Sequence, residues 1–207
     1  VGGGFAGCAA ALRLAAIGVR PVLIEYKFFL GGRTTSYTLK DWPEALDNGQ
    51  HVILGCCDRT RRFLEDAGAA DAVKWHRTLP VSAPGGFRTL RPWPVFAPFH
   101  LIPFLARFPQ LTATERARVA WGIFRMATSD SNGLWTDTAA RFGQTARIQD
   151  RFWNPFLVSA LNADPAKVST SHVRRIVHEA FLRTNGGMNI GIPISPLITL
   201  FNDRIRP

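Results

Sequence analysis

Residues 2–7 read Gly-Gly-Gly-Phe-Ala-Gly, which fits the pattern G-x-G-x-x-G with its three defining glycines at positions 2, 4 and 7. Each defining glycine has its own task in that pattern. One forms a sharp turn, one lets the backbone approach a pyrophosphate, and one lets a helix lie close to a strand. Glycine-rich turns are common, so the residues around this one decide what it means.

The segment after the turn is typical of one half of a βαβ unit. Ala6–Ile17 is a run of good helix formers, and Gly18 is placed to end the helix in a left-handed conformation. Val22-Leu23-Ile24 is then predicted to be a short buried parallel strand. Glu25 follows at about the 20-residue spacing expected of an acid that binds a nucleotide ribose, and the alternative is an ordinary exposed glutamate.

Two further segments distinguish this chain from a plain NAD-binding domain. Leu30-Gly31-Gly32-Arg33-Thr34 is a second glycine pair beside a guanidinium group, which can bind phosphate oxygens in a forked geometry. The alternative for this segment is a turn with a surface arginine. Asp47–His51 is unusually polar for the start of a buried strand, although an Asx-type turn would also explain it.

The rest of the chain is predicted to contain short strands and then helices. Strands are expected at Thr35–Leu39 and His51–Leu54, a helix capped by Asp58 through Ala67, and short strands from Val73 to Pro92 with a turn at Pro84-Gly85-Gly86. Helices follow, and residues typical of a helix start occur at Thr114 and at Asp164-Pro165. The expected helices are Leu101–Phe108, Thr114–Met126, Thr136–Phe142, Ile148–Leu161 and Ser171–Leu182.

These elements indicate an α/β fold: a Rossmann-like FAD-binding domain with a β-excursion and a mostly helical substrate-domain insert. We expect the FAD-binding part at residues 1–72, the substrate-binding part at 73–185, and the start of a return to the first domain at 186–207. A strand should precede the glycine turn, and the sequence stops at Pro207, just after an apolar stretch that indicates the start of another element. We therefore expect a fragment that is truncated at both ends.

Taken together, these motifs resemble the flavin amine oxidase and phytoene desaturase superfamily. The run from Asp47 to Val52, followed by Leu54-Gly55-Cys56, is similar to the squalene-associated desaturase branch of hydroxysqualene dehydroxylases, which act in hopanoid biosynthesis. Further similarities lie at Pro98–Leu101, Leu105–Pro109, Arg151–Pro155 and Ala160–Asn162, so the resemblance spans essentially the whole chain.

The resemblance implies a non-covalently bound FAD. The glycine turn would hold the pyrophosphate, Glu25 the adenosine ribose and Arg33 a phosphate, while residues 49–51 would approach the flavin ring. His51 is a candidate proton donor, with a structural histidine as its alternative. The implied cofactor-binding residues are Gly2, Gly4, Phe5, Ala6, Gly7, Glu25, Gly32, Arg33, Gly49, Gln50 and His51, and no metal site is expected.

The resemblance also implies a lipophilic isoprenoid substrate. In hydroxysqualene dehydroxylation, an allylic hydroxyl would leave as water and a hydride from reduced flavin would replace it. A carotenoid-type desaturase, or another superfamily member such as an amine oxidase, is the enzymatic alternative. A non-catalytic prenyl-protein escort or GDP-dissociation-inhibitor-like protein is the alternative from another class. The electron donor is unknown, and the fragment by itself is expected to be inactive.

Composition and charge limit the other function classes. A hydrophobic fraction of 46% predicts a globular core, and the formal charge is +10. The arginines are scattered and no nucleic-acid module is evident, so no nucleic-acid partner is expected. Peripheral association with a membrane remains compatible with the charge. The three cysteines, Cys8, Cys56 and Cys57, have no metal-ligand spacing and indicate a reducing, cytoplasmic location with buried or idle thiols.

Overall fold

The computed structural model describes residues 2–49 and 52–205. The chain divides into two compact units, Val1–His76 with Ile190–Pro207 and Arg77–Asn189. We call them the first and the second unit. The fold is mixed, with helices and strands in both units, which confirms the predicted α/β class with a β-excursion and a mostly helical insert.

Helix α1 (Phe5–Ala16) begins directly at the glycine turn, as predicted to within one residue. Its sequence is dominated by alanine and leucine, which lose little side-chain freedom in a helix. Gly18 has a φ of +81° and turns the chain after the helix, so the predicted left-handed termination is confirmed. Gly7, Cys8 and Ala11 form the buried side of this helix.

The predicted strand at Val22–Ile24 is wrong for the described residues. This segment has no hydrogen-bonded neighbour there, and the side chains of Val22 and Ile24 are 82% and 71% exposed. An apolar run becomes a strand only when its backbone groups pair with a second strand. Among residues 2–49 and 52–205 no strand lies alongside this segment, so it remains extended coil.

The sheets of the first unit are antiparallel. β1 (Ser36–Thr38) pairs with β2 (Ala45–Asp47), with Tyr37 opposite Leu46. β7 (Ile190–Pro193) lies between β3 (Ile53–Leu54) and β4 (Val73–His76). The strands β1 and β3 fall within the predicted ranges.

The central position of β7 depends on a close approach at Gly191. A Cβ at Gly191 would lie 2.8 Å from Cγ1 of Val73 and 2.9 Å from the Trp75 ring. A larger residue there would have to displace the neighbouring strand β4. The absence of a side chain therefore lets Trp75 pack over the middle of the sheet.

Helix α2 (Asp58–Asp66) packs against α1 in the core of the first unit. The rings of Phe5 and Phe63 lie 4.4 Å apart between centroids, and Phe201 approaches Phe5 at 5.7 Å. Asp58 was predicted to cap α2, but Cys57 is the N-cap residue and Asp58 is the first helical residue. An aspartate in the first turn still suits the positive end of the helix dipole.

The second unit begins with a hairpin of β5 (Leu79–Ala83) and β6 (Gly86–Leu90), paired from Leu79 opposite Leu90 to Ala83 opposite Gly86. Pro84 and Gly85 form its turn, as the sequence predicts. Gly85 has a φ of +82°, a conformation that glycine adopts without steric cost.

Helices make up most of the rest of the second unit. They lie close to the predicted ranges when the π-helical segments Gln149–Trp153 and Val177–Leu182 are counted with the α-helices next to them. The N-cap of α4 is Thr112, two residues before the predicted start signal, because Thr112 and Glu115 form a reciprocal capping box. Asp164 accepts a hydrogen bond from Ala166 N at 3.0 Å and starts a single 3₁₀ turn. The helices are α3 (Ile102–Ala106), α4 (Ala113–Thr128), α5 (Trp135–Arg141), α6 (Ala146–Ile148), α7 (Asn154–Leu161) and α8 (Thr170–Ile176).

A buried polar network organises the core of these helices. Trp135 and Trp153 are fully buried with ring centroids 5.0 Å apart. Nε1 of Trp153 donates to Oε1 of Gln144 at 2.9 Å, and Nε2 of Gln144 donates to the carbonyl of Arg118 at 2.7 Å. A buried indole N–H that has a partner escapes the penalty of an unmade hydrogen bond. The network therefore fixes α4 and the segment after α5 around Trp153.

Candidate functional site

The glycine turn presents the amino end of α1. Gly4 is the N-cap residue, with φ −72° and ψ 177°, and no side chain of the described residues caps the helix. The first turn of α1 contains no acidic residue. Its backbone N–H groups and the helix dipole therefore favour an anion at this end.

The second glycine pair lies against the first. The amide of Gly31 donates to the carbonyl of Gly3 at 2.8 Å, and Gly4 and Gly31 form an isolated parallel bridge. A Cβ at Gly32 would lie 3.2 Å from Cα of Gly4. Gly31 has a φ of +102°, and a Cβ there would collide with the carbonyl oxygen of Thr34. Glycine at position 32 therefore permits this close approach to the backbone of Gly4.

Glu25 reaches back to the same turn. Its Oε2 accepts a hydrogen bond from Gly3 N at 2.5 Å, and its Oε1 accepts one from Lys27 N at 3.0 Å. These amides, Lys27 first and Gly3 second, hold the pKa of Glu25 below its ordinary value. The carboxylate is therefore ionised beside the turn at neutral pH, although the strand expected to carry it is absent from the described residues.

The geometry of the turn fits a phosphate-bearing ligand. A Cβ at Gly4 would meet no atom of the described residues within 4 Å, so open space lies in front of the helix. At Gly3, by contrast, a Cβ would lie 2.6 Å from Cδ2 of Leu30. A side chain at Gly3 would thus have to displace Leu30, whereas Gly4 leaves room where an anion would meet the helix end.

Two other predicted site residues, Arg33 and Gly49, make hydrogen bonds with Asn48 and Asp47 instead of with the glycine turn. Arg33 is exposed and its carbonyl accepts a hydrogen bond from Nδ2 of Asn48 at 2.9 Å. Gly49 is exposed with a φ of +90°, and its amide donates to the carbonyl of Asp47 at 2.7 Å. Gln50 and His51 lie outside the described residues.

Asp47 has a structural role that sequence reasoning missed. Its Oδ1 accepts hydrogen bonds from Oγ of Ser36 at 2.6 Å and from Leu197 N at 3.0 Å, and Oγ of Ser36 accepts one from Ile198 N at 3.1 Å. Ser36 and Asp47 thereby cap the helix that begins with α9 (Leu197–Thr199). Only a contact across 150 residues reveals this role, and the local pattern of Asp47-Asn48-Gly49 contains no signal for it.

The cysteines differ from one another. Cys8 is buried, its Sγ donates to the carbonyl of Gly3 at 3.3 Å, and burial raises its pKa. Cys57 is exposed, and a hydrogen bond from the Cys56 side chain lowers its pKa to about 6. Cys57 therefore departs from the expected burial, and its lowered pKa favours the thiolate form.

Two open cavities of the second unit have arginines in their walls. The larger, about 640 Å³, lies at α4 and α5 with Trp121, Phe142, Arg118 and Arg141 in its wall. The smaller, about 170 Å³, contains Arg77 and Arg91. Neither wall is purely apolar. In the described part of the chain no helix is long and apolar enough to span a membrane, and no cluster of three potential metal ligands occurs.

Comparison with known proteins finds a matching domain family, several similar sequences and a similar fold. Residues 1–67 match the family described as the NAD(P)-binding Rossmann-like domain. The chain is 28% identical over 191 residues to hydroxysqualene dehydroxylase from Rhodopseudomonas palustris. The aligned region covers 88% of this chain and 43% of that protein. It is also 32% identical over 123 residues to zeta-carotene desaturase from Zea mays, across 58% of this chain and 21% of that protein.

These similarities support the resemblance of the chain to the flavin amine oxidase and phytoene desaturase superfamily. A 15-cis-phytoene desaturase from an Oncidium hybrid is a further relative, 29% identical over 59% of this chain and 22% of that protein. The structure of an oxidoreductase from Methanosarcina mazei shares the fold, with a TM-score of 0.66, 20% identity, and coverage of 99% of this chain and 46% of that one. The chain thus spans less than half the length of each of these proteins.

Proposed function

We propose that this chain is part of an FAD-dependent oxidoreductase that reductively removes the hydroxyl group of hydroxysqualene to form squalene. One observation carries the cofactor assignment: the open space at Gly4 lies in front of α1, and the ionised Glu25 is bonded to the neighbouring residue Gly3. A pyrophosphate at the helix end with a ribose beside the carboxylate would fit this arrangement.

The extent of the similarities supports the choice of substrate. The match to hydroxysqualene dehydroxylase runs over 191 residues, whereas the matches to the desaturases run over 123 to 131 residues. Coverage of 88% of this chain must include a large part of the second unit, where we expect the substrate-binding residues to lie. The desaturase matches, at 58–59% of the chain, leave more of it without a counterpart.

The residues of this chain would bind and orient the reactants. Bound FAD, once reduced, would supply the hydride. The amides at the start of α1 would hold its pyrophosphate, Glu25 would accept hydrogen bonds from the ribose hydroxyls, and Arg33 would neutralise a phosphate oxygen. His51 is proposed to protonate the departing hydroxyl, so that substrate, hydride and proton yield squalene and water.

An assay of the full-length protein tests this proposal. Purified protein reconstituted with FAD and reduced without oxygen should convert hydroxysqualene to squalene, measured by gas chromatography. Oxidised protein incubated with phytoene serves as the parallel reaction. A desaturated carotenoid product without squalene formation would favour the second candidate, a carotenoid-type desaturase, which the 32% identity to zeta-carotene desaturase supports.

The non-catalytic alternative gives a different result in the same preparation. A prenyl-protein escort protein of this fold would bind a lipidated partner and show no flavin absorbance after reconstitution. Stoichiometric flavin in the wild-type protein, together with its loss from a glycine-turn variant, would exclude that alternative. A colourless wild-type protein would contradict the proposed function.

A further inference from the structure

The β5–β6 hairpin brings two arginines to the same end of the second unit. Leu79 pairs with Leu90 at the open end of the hairpin. Arg77 lies two residues before that pair and Arg91 one residue after it. Both arginines line the cavity of about 170 Å³, which we call the arginine cavity.

The arginine cavity contains hydrogen-bond donors and no carboxylate. Its volume is several times the roughly 30 Å³ that one water molecule occupies in the liquid. Guanidinium and amide groups can all donate to an oxyanion, and the tryptophan and the prolines form rigid apolar sides. The lining residues are Arg77, Arg91, Pro92, Trp93, Pro94, Asn185, Gly186 and Asn189.

No ion pair to either arginine of the arginine cavity occurs among the described residues. The sequence contains no aspartate or glutamate between Asp71 and Glu115, a stretch that includes both arginines. Elsewhere in the second unit, Arg147 and Arg174 form ion pairs with carboxylates at 2.9 and 3.0 Å. Within residues 2–49 and 52–205, Arg77 and Arg91 have no such pair. A pair of adjacent guanidinium groups is stabilised by an anion between them.

The wall opposite the hairpin is fixed by close packing. The loop from Thr184 to Asn189 contains two turns, in which Gly187 N donates to the Thr184 carbonyl at 3.2 Å and Asn189 N donates to the Gly186 carbonyl at 3.0 Å. A Cβ at Gly187 would lie 2.6 Å from the carbonyl oxygen of Ala180. The loop is therefore held against the π-helical segment Val177–Leu182, which follows α8. This contact helps to hold Asn185 and Asn189 at the cavity before any ligand arrives.

We propose that the arginine cavity binds a phosphate group, either of a soluble phosphate compound or of a lipid headgroup. The planar guanidinium matches two oxygens of a phosphate at once, and the asparagine amides complete the donors. The residues beside the cavity make the lipid headgroup a realistic source. Trp93, Phe96 and Phe99 are 52%, 74% and 51% exposed, so they could reach into the apolar layer below a headgroup.

Binding measurements on the full-length protein with bound flavin test the proposal. The cavity variant combines Arg77→Gln with Arg91→Gln. Its matched control combines Arg88→Gln with Arg107→Gln, two exposed arginines of the same unit that do not line the cavity. Inorganic phosphate is titrated by calorimetry in a phosphate-free buffer. Vesicles of phosphatidylcholine, with or without phosphatidic acid, are tested by co-sedimentation.

We expect saturable phosphate binding that weakens at least tenfold in the cavity variant and changes less than twofold in the control. Loss of binding to phosphatidic acid vesicles in the cavity variant alone would identify the lipid headgroup as the source. Phosphate binding without vesicle binding would identify a soluble compound. Asn189→Asp, which adds a repelling carboxylate, should weaken phosphate binding in the same way if the double variant proves unfolded by circular dichroism.

Three results would overturn the proposal. The first is that neither phosphate nor the vesicles bind in a saturable way. The second is that the cavity variant and its control bind equally well. The third is that the cavity variant loses its flavin. The last result would assign the two arginines to the phosphates of the cofactor instead of to a separate site. Flavin content is therefore measured on every variant before the titrations.

Discussion

The carboxylate of Glu25 is hydrogen-bonded to the backbone amide of Gly3, at 2.5 Å and across 22 residues of chain. This bond connects the glycine turn to the acid that follows it in sequence. A second connection runs from Gly31 N to the carbonyl of Gly3. Gly3 is thus held from both sides, which leaves Gly4 and the start of α1 as the open part of the turn.

Replacing Gly4 with valine should remove bound flavin while the protein stays folded. The φ and ψ of Gly4 are allowed for any residue, and a Cβ there meets nothing within 4 Å, so the cost to stability should be about 1 kcal/mol from the poorer N-cap. The new side chain would occupy the space assigned to the pyrophosphate and weaken flavin binding at least tenfold. Flavin absorbance per protein, with Ala10→Val on the exposed side of α1 as control, measures this effect.

If Gly4→Val protein retains stoichiometric flavin, the glycine turn is not the pyrophosphate site.

A matched test of packing is Gly31→Ala. Its Cβ would collide with the carbonyl of Thr34 in a backbone conformation that disfavours alanine. That variant should lose folding stability directly, which a denaturant titration would detect.

Replacing Glu25 with glutamine should lower flavin retention and flatten the acid dependence of stability. Because the amides of Lys27 and Gly3 lower the pKa of Glu25, the unfolded state takes up the proton first. The stabilising contribution is present above the ordinary glutamate pKa of about 4.3 and is lost as pH falls through the lower folded value. Urea midpoints measured from pH 7 to 3 should fall more steeply for wild type than for Glu25→Gln.

The exposed Glu65 on α2 provides the control, Glu65→Gln. Equal acid dependence for Glu25→Gln and wild type would show that the bonds to Lys27 and Gly3 do not persist in solution. Unchanged flavin content in Glu25→Gln would separately remove this residue from the ribose site.

Replacing His100 with leucine should stabilise the protein most at acidic pH. His100 is fully buried, and neither ring nitrogen has a hydrogen-bond partner among the described residues. Burial lowers its pKa, so the unfolded state binds the proton more readily and wild type loses stability as pH falls through about 6.5. The desolvation of an unpaired polar group costs about 1–3 kcal/mol, which leucine avoids.

Thermal unfolding at pH 8 and at pH 5 measures this difference. The gain in His100→Leu should be larger at pH 5, whereas His178→Gln, at an exposed histidine, should show no comparable change. A destabilised His100→Leu protein at both pH values would mean that the imidazole has a partner in solution.

Cys57 should react with iodoacetamide at neutral pH far faster than Cys8. The hydrogen bond from Cys56 lowers the pKa of Cys57 to about 6, whereas burial raises that of Cys8. The alkylation rate against pH should therefore have its midpoint near pH 6, measured by peptide mass spectrometry. Cys56→Ala removes the donor and should move the midpoint towards the ordinary thiol value of about 8.5. Identical midpoints in Cys56→Ala and wild type would contradict this cause.

The sequence by itself determined the local chemistry of the glycine turn and most of the helices. The extent of α1, its termination at Gly18 and the hairpin turn at Pro84-Gly85 all follow from short-range preferences of glycine, proline and alanine. These preferences act within a few residues, so a single sequence is enough to predict them. The sequence also indicates that Gly31-Gly32 permits close backbone approach to a ligand, whereas the contact of this pair with the first glycine turn is seen only in the structure.

Only the tertiary structure decided which distant groups meet. The capping of α9 by Ser36 and Asp47, the central position of β7 and the joint cavity of Arg77 with Asn185 depend on contacts between segments far apart in the chain. The segment at Val22–Ile24 shows the same limit, since its composition favours a strand but no partner lies beside it in the described residues. Strand pairing and burial are properties of two segments together, and the preferences of one segment cannot specify them.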